Sequence, residues 1–144
     1  MNILIINGPN LNLLGKREPE IYGYETLEDI NKMIDTEASK SDVNIDFFQS
    51  NHEGAIIDRI HEAMGVIDAI IINPGAYTHY SYAIRDAISS VNIPTIEVHL
   101  SDIHSREEFR KVSVIKDVCV KQISGLGPKG YINALNDLAE SLKG

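Results

Sequence analysis

Three polar side chains recur at every second position in an otherwise apolar stretch. Residues 94–101 read Pro-Thr-Ile-Glu-Val-His-Leu-Ser and place Glu97, His99 and Ser101 two residues apart. Successive side chains of a β-strand point to opposite faces, so these three groups should project to one side. A carboxylate, an imidazole and a hydroxyl on one face can transfer protons to and from a ligand. The spacing therefore predicts an acid–base site, and a strand end emerging into solvent is the alternative.

Polar motifs also follow three earlier apolar runs. They are Asn-Gly-Pro-Asn-Leu-Asn at 7–12, Gln-Ser-Asn-His-Glu at 49–53 and Asn-Pro-Gly-Ala-Tyr-Thr-His at 73–79. Asn, Gly and Pro are common turn residues, but turn formation does not explain why His79, His99 and Glu97 occur in the same places. In parallel α/β sheets ligands bind beyond the carboxyl ends of the strands. We therefore expect four strand ends to converge on one crevice.

The segment 15–24 is unusual because it holds almost no aliphatic residues. It carries Arg17 and Tyr22 between Gly15 and Gly23, and glycines at both ends can act as hinges. A cation and a phenol on such a segment can close over a bound anion and exclude water. We interpret residues 15–24 as a lid loop, with a solvated surface loop as the alternative.

The elements that must position these groups follow from apolar periodicity. β-Branched runs at 2–7, 43–49, 68–73, 94–100 and 117–124 predict five strands, and segments of helical period lie between them. Thr26 with Asp29 predicts a capping box, and Ser105 with Glu108 predicts the start of a short helix. The predicted helical stripes are Leu27, Ile30, Met33 and Ile34; Ile56, Ile57, Ile60, Ala63 and Met64; Tyr82, Ile84, Ala87, Ile88 and Val91; and Ile132, Leu135, Leu138 and Leu142.

This alternation predicts an α/β protein. The expected architecture is a flavodoxin-like three-layer α/β/α sandwich around a five-stranded parallel sheet of order 2-1-3-4-5. A length of 144 residues fits a single catalytic domain, 1–144, with the lid loop at about 15–24.

Composition excludes several classes of partner. The net charge of -8 would repel a nucleic acid backbone. The apolar run at residues 3–6 is too short for a signal peptide or a membrane span. The single cysteine, Cys119, lies in an apolar run and has no internal disulfide partner, which suits a reducing cytoplasm.

The sequence does not support the familiar dinucleotide, metal, hydrolase or phosphoryl-transfer motifs. Gly-Leu-Gly-Pro-Lys-Gly at 125–130 matches a dinucleotide-binding pattern, but only 14 residues follow it, too few for the acidic residue on a second strand that binds a ribose. The five histidines show no spacing typical of a metal site, and no nucleophile elbow or Walker loop occurs.

Taken together, the motifs resemble type II 3-dehydroquinate dehydratase, the type II dehydroquinase family. The resemblance spans nearly the whole chain in order and spacing. It covers residues 6–15 (INGPNLNLLG), 17–23 (REPEIYG), 49–54 (QSNHEG), 73–79 (NPGAYTH), 97–101 (EVHLS) and 106–110 (REEFR).

The resemblance implies reversible anti elimination of water from 3-dehydroquinate to 3-dehydroshikimate through an enolate, in the shikimate pathway to chorismate and aromatic amino acids. It implies no cofactor and no metal, a cytoplasmic homo-oligomer built as a dodecamer of trimers, and no nucleic acid or membrane partner. By position, Tyr22 is similar to the family's proton acceptor and His99 to its proton donor, while Arg17 stabilises the transition state. The other implied residues are Asn10, which positions a water on the enolate; Glu97, which orients its neighbours; and the substrate-binding residues Asn73, His79, Asp86, Leu100, Ser101 and Arg110.

The implied base requires strong activation. A phenol of ordinary pKa near 10 must shift by about three units, or about 4 kcal/mol, to be ionised at neutral pH. A guanidinium within about 4–6 Å, such as that of Arg17, supplies part of this. The chain departs mildly from the family pattern, since Asp102 stands where Asn is common and a histidine often found after Arg110 is missing.

Two other functions remain open at the level of sequence. A small flavodoxin-like signalling module would need clustered aspartates after the first strand, where this chain has Asn7, Asn10 and Asn12. An assembly protein could use the polar strand ends as an interface, and it would show no turnover of dehydroquinate.

Overall fold

A parallel five-stranded sheet forms the centre of the computed structural model. The structure describes residues 1–143, and the side chain of Tyr22 lies outside the described part. The strands are β1 (Asn2–Asn7), β2 (Asn44–Gln49), β3 (Ala69–Asn73), β4 (Thr95–His99) and β5 (Lys121–Ser124). Their order is β2-β1-β3-β4-β5, and every neighbouring pair is parallel. The predicted strand order is confirmed.

Helices cover both faces of this sheet. They are α1 (Pro19–Tyr22), α2 (Leu27–Ser39), α3 (Glu53–Glu62), α4 (Tyr82–Val91) and α5 (Lys129–Lys143). Ile3, Ile5 and Ile71 pack with α2 and α5, whereas the alternate residues Leu4 and Ile6 pack with α3 and α4. This alternation is what a strand buried on both faces requires. The predicted flavodoxin-like three-layer sandwich is therefore confirmed.

Side-chain caps fix the start of two helices. The Thr26 hydroxyl accepts a hydrogen bond from Asp29 N at 3.1 Å, and the Asp29 carboxylate accepts one from Thr26 N at 3.0 Å. This confirms the predicted capping box at the start of α2. The Ser81 hydroxyl caps α4 by accepting from Ile84 N at 3.1 Å, and it donates to Glu53 on α3.

The prediction that Ser105, with Glu108, caps a short helix is wrong. Two short 3₁₀ helices occur there instead, Ile103–Ser105 and Glu108–Lys111. Arg106 between them is extended, and the Ser105 hydroxyl donates back to the Asp102 carbonyl at 3.0 Å, so it does not cap a following helix.

Several predicted boundaries also differ. The last strand begins at Lys121, because Lys116–Val118 forms a 3₁₀ helix in which Val118 N donates to Ile115 O. Four residues of the predicted apolar stripes are exposed, since they lie at helix ends or at the margin of a stripe. These residues are Met33, Met64, Tyr82 and Leu142. Within residues 1–143, none of the helices is long and apolar enough to cross a membrane.

Candidate active site

A cavity of about 210 Å³ opens at the carboxyl ends of β1, β3 and β4. This is the edge at which parallel α/β sheets bind ligands. The residues that line it are Pro9, Asn10, Leu11, Arg17, Asn73, Gly75, Ala76, His79, His99, Leu100, Ser101, Ile103, Arg106 and Arg110.

Eight of the predicted site residues line this cavity. Glu97 is fully buried beside His99, and Asp86 lies on an exposed position of α4 away from the cavity. Tyr22 has its side chain outside the described part of the chain. The expectation of four converging strand ends is wrong for β2, because residues 49–53 do not line the cavity.

The residues after β2 instead support the loop that follows β1. Asn10 adopts a left-handed backbone conformation, with φ 69°, and its N–H donates to Asn51 Oδ1 at 3.0 Å. The Gln49 amide donates to the same Asn51 oxygen at 3.2 Å and to the Gly8 carbonyl at 3.1 Å. An edge strand thus contributes to the site by holding Asn10 at the cavity wall.

Glu97 and His99 form a buried hydrogen-bonded pair. His99 Nε2 lies 2.5 Å from Glu97 Oε2, and the two side chains are 6% and 0% exposed. The Thr78 hydroxyl donates to the same oxygen at 2.6 Å, and the Ser113 hydroxyl lies 2.9 Å from both carboxylate oxygens. Burial alone raises the pKa of Glu97, but hydrogen bonds from His99, Thr78 and Ser113 outweigh it and lower that pKa. Glu97 is therefore an anion behind the imidazole.

His79 is the second imidazole that lines the cavity. Its Nδ1 lies 2.7 Å from the Val112 carbonyl. Since a carbonyl only accepts, Nδ1 carries the hydrogen and Nε2 is left as an acceptor. Partial burial lowers the pKa of His79 and outweighs the hydrogen bond to Val112, which raises it, and the nearby charges of His99 and Arg110 lower it further. The two histidines of the cavity are thus in different electrostatic surroundings.

Asn73 is oriented by a buried phenol. Its Nδ2 donates to the Tyr131 hydroxyl at 3.1 Å, and its Oδ1 accepts from Gly75 N at 3.1 Å. The Tyr131 hydroxyl in turn donates to Asn7 Oδ1 at 2.5 Å. Complete burial raises the pKa of Tyr131 well above its ordinary range, so it remains a neutral hydrogen-bond donor.

The glycine-rich motif at 125–130 supports the backbone after β4. Gly127 N donates to Leu100 O at 3.0 Å, and Gly125 N donates to Ser101 O at 3.1 Å. With both carbonyls engaged on that side, the peptide groups of residues 100–101 are fixed at the cavity wall. The motif thus has a structural role at the cavity wall.

Comparison with known proteins decides the family. The model of the family described as Dehydroquinase class II matches residues 1–139. The chain belongs to the class II dehydroquinases, a family of enzymes.

Close relatives share nearly the full length of this chain. A 3-dehydroquinate dehydratase of Caldicellulosiruptor bescii is 63% identical over 141 residues, which cover 97% of both chains. A protein of Verticillium alfalfae named catabolic 3-dehydroquinase is 56% identical and covers 98% of this chain and 94% of its own. The crystal structure of a type II dehydroquinase from Butyrivibrio crossotus has a TM-score of 0.94 at 56% identity, covering 96% of this chain and 97% of that chain.

Three arginines give the dehydroquinase cavity a positive lining in a chain of net charge -8. Arg17 also lies 3.5 Å from Glu18, Arg110 stacks 4.6 Å from the ring centre of Phe109, and Arg106 donates to the Ser101 hydroxyl at 3.4 Å. Guanidinium groups bind carboxylates well because of their planar donor geometry. Arg106 was not among the predicted site residues, although it begins the segment 106–111, which holds two arginines and a lysine.

A second cavity of about 470 Å³ adjoins the first and shares Leu100, Ser101 and Arg106 with it. Ile21 and Gly23 line it, so segment 15–24 of this dehydroquinase borders both cavities through different residues. Asp102 lines the second cavity, and its Oδ1 accepts from His104 N at 3.0 Å. Its carboxylate therefore caps a 3₁₀ helix beside the site.

Sequence reasoning missed Thr78, Ser113 and Tyr131. Thr78 lies within the 73–79 motif, but nothing in the sequence distinguishes it there, and each of the three acts through a residue far away in sequence: Tyr131 bonds Asn7 124 residues earlier. The burial of a charged residue in a predicted strand, Glu97, was the available signal, because such a group needs hydrogen-bond donors around it.

Proposed function

We propose that this protein is a type II 3-dehydroquinate dehydratase that catalyses the reversible dehydration of 3-dehydroquinate to 3-dehydroshikimate. The reaction is an anti elimination through an enolate, in the shikimate pathway to chorismate and aromatic amino acids. One observation carries the proposal: a buried Glu97–His99 pair lies at the base of a cavity lined by three arginines and two asparagines. Membership of the class II dehydroquinases supports it.

His99 is the proton donor in this proposal. Elimination expels a hydroxyl group, which leaves as water only if it gains a proton. Since Glu97 accepts the hydrogen on Nε2, the hydrogen delivered to the substrate is the one on Nδ1. The anionic carboxylate stabilises the imidazolium from which that proton comes.

The substrate carboxylate and the enolate need donors. We assign the carboxylate to the backbone N–H groups of Leu100 and Ser101 with the Asn73 amide, because all three line the cavity and are fixed by their neighbours. Asn10 places a water molecule on the developing enolate oxygen. Donors fixed before the reaction stabilise a developing charge without reorganisation.

Tyr22 is the proposed base. It removes the proton beside the ketone as a phenolate, and Arg17 at the cavity wall stabilises both the phenolate and the enolate. The residues 15–24 form the lid that brings them over the substrate. In the structure Arg17 also faces the carboxylate of Glu18, and closure would exchange this half-exposed partner for the phenolate. A lower effective dielectric under the closed lid strengthens that interaction.

The remaining proposed contacts concern ring hydroxyls and assembly. His79 offers Nε2 as an acceptor, and Arg110 offers donors from the same wall. Asp86 reaches the site of an adjoining subunit in a cytoplasmic homododecamer built from trimers. Its exposed position on α4, next to the exposed rings of Tyr80 and Tyr82, supports this arrangement, which mass photometry tests.

The function is tested by supplying 3-dehydroquinate and following the ultraviolet absorbance of the conjugated enone product. We expect turnover by the wild type, and its absence would favour a binding or assembly role. Tyr22→Phe should abolish turnover and keep most substrate binding, and Arg17→Ala should behave similarly. His99→Ala should lower kcat more than it raises KM, because it removes a group that acts in the transition state.

The kinetics of the variants test the proposed roles of Tyr22 and His99 separately. A Tyr22→Phe variant with nearly normal kcat would remove Tyr22 as the base but leave the reaction itself intact. A His99→Ala variant that changes only KM would make His99 a binding residue.

A further inference from the structure

Hydrogen bonds to side chains fix the backbone on both sides of Ser113. The Val112 carbonyl accepts from His79 Nδ1 at 2.7 Å, and the Val114 carbonyl accepts from Arg85 Nη1 at 2.7 Å. These contacts come from the 3₁₀ helix after β3 and from α4, so two separate elements fix the backbone that carries the Ser113 hydroxyl. A backbone fixed in this way leaves the Ser113 side chain little freedom to move.

The Ser113 hydroxyl is aimed at the carboxylate of Glu97. Its oxygen accepts from Lys116 N at 3.1 Å, so its single hydrogen is available for Glu97, whose two oxygens both lie at 2.9 Å. Thr78 donates to Glu97 from the next position, and its own carbonyl accepts from Val114 N at 2.8 Å. An ionised carboxylate is an acceptor only, so both hydroxyls must donate to it.

These donors hold the carboxylate that contacts Nε2 of His99. With two hydroxyls held against it, the Glu97 carboxylate keeps Oε2 on His99 Nε2. We propose that Ser113, together with Thr78, is a positioning residue of the reaction, because it holds the Glu97 carboxylate in its orientation. In that orientation Glu97 accepts the hydrogen on Nε2 of His99, and Nδ1 of His99 is the atom that donates a proton to the substrate. This inference rests on the proposed role of His99 as the proton donor.

Other titratable groups around the pair do not compete with this arrangement. His79 faces it from the 3₁₀ helix after β3, where burial lowers the pKa of the imidazole against the opposing effect of its hydrogen bond to the Val112 carbonyl. Cys119 faces Glu97 from the segment before β5, where burial, with a contribution from the charge of Glu97, raises the pKa of the thiol to about 12. Arg110 is one nearby cation, and its charge lowers the pKa of His79.

The first test is kinetic. We expect Ser113→Ala to lower kcat about tenfold, as for the loss of one hydrogen bond to a charged group, with KM changed less than about twofold. Ser113→Thr keeps the hydroxyl and should recover most of kcat. Ser141→Ala is the matched control, because its hydroxyl bonds a helix carbonyl on α5, far from the cavity, at 3.2 Å.

A double-mutant cycle tests whether Ser113 acts through Glu97. In a Glu97→Gln background, Ser113→Ala should cost less than about twofold, since residues that act as a unit are not additive. An equal tenfold loss in both backgrounds would show a general structural effect and would overturn the proposal. A change confined to KM would overturn it as well.

The second test does not depend on turnover. Carboxyl ¹³C resonances of Glu97 should titrate at higher pH in Ser113→Ala than in the wild type, because a donor to the charged form has been removed. An unchanged titration would refute the role of Ser113 even in an active enzyme. If the wild type lacked turnover, the proposed function would fail, whereas this measurement would still decide whether Ser113 controls Glu97.

Folding is checked by circular dichroism. Should Ser113→Ala fail to fold, Ser113→Cys keeps a side chain of similar shape with a weaker donor, and its kcat should lie between those of Ser113→Thr and His99→Ala. A kcat for Ser113→Cys equal to that of the wild type would contradict the proposal.

Discussion

Two glycines allow backbone strain to be separated from substrate binding. Gly127 and Gly65 both have positive φ, at 60° and 77°, and an added methyl group would meet no atom within 4 Å at either position. Replacement by alanine therefore adds backbone strain without a steric clash. Left-handed backbone costs an L-residue about 1–2 kcal/mol, so both variants should lose about that much free energy of unfolding.

Of the two variants, only Gly127→Ala should change KM. Gly127 N donates to Leu100 O at 3.0 Å, whereas Gly65 lies after α3, outside the residues that line the two cavities. If alanine relaxes toward negative φ, the N–H turns away from Leu100 and the proposed carboxylate anchor at residues 100–101 loses its support. Loss of one neutral hydrogen bond is worth about 1 kcal/mol, which corresponds to about a fivefold increase in KM.

The assay pairs urea unfolding with steady-state kinetics on both variants. We expect equal losses of stability, a higher KM for Gly127→Ala alone, and kcat within about twofold of the wild type in both. If Gly127→Ala lost stability but kept the KM of the wild type, the glycine-rich loop would have no part in holding the anion site.

Three further predictions follow from buried groups and one open helix position. The lowered pKa of Glu97 means that its charge stabilises the fold above its ordinary pKa of about 4.3 and that this contribution is lost as the pH falls toward the lowered value. Urea unfolding between pH 6 and pH 3.5 should therefore show that Glu97→Gln loses less free energy of unfolding on acidification than the wild type does. Equal losses would contradict the prediction that Glu97 is ionised in the folded protein. Tyr131→Phe leaves Asn7 and Asn73 without their shared partner and should lower the free energy of unfolding by about 2 kcal/mol with a raised KM, whereas unchanged values would mean that water replaces the hydroxyl. In Gly54→Ala, in α3, the added methyl group meets no atom within 4 Å, so the free energy of unfolding should rise by about 0.5 kcal/mol without a change in kcat. A lower free energy of unfolding would contradict this prediction.

The fold was predictable because its strands are chemically simple. Runs such as Ile3, Leu4, Ile5 and Ile6 are buried on both faces, and only a sheet covered by two helical layers buries such a run completely. The short helix expected at Ser105 failed for a local reason. Its hydroxyl found a nearer acceptor in Asp102, and serine side chains often compete with helix formation in this way.

The candidate site likewise contains residues that the sequence predicted and residues that it did not. Residues that line the cavity follow the strands directly and were found from strand order, as for Asn73 and His99. The residues that hold them were not found, because Thr78 and Ser113 reach Glu97 from elements 19 and 16 residues away. A hydroxyl in a loop has many possible partners, and only tertiary contact selects one.

The buried thiol of Cys119 has a practical consequence for observing the segment 15–24. Thiol-reactive dyes attack the thiolate, and with a pKa of about 12 only about one Cys119 in 10⁵ is ionised at pH 7. Since Cys119 is the sole cysteine in the sequence, a Glu20→Cys variant would carry one reactive position in an unreactive background. A fluorophore attached there would report when the segment moves as substrate enters, without removal of any native sulfur.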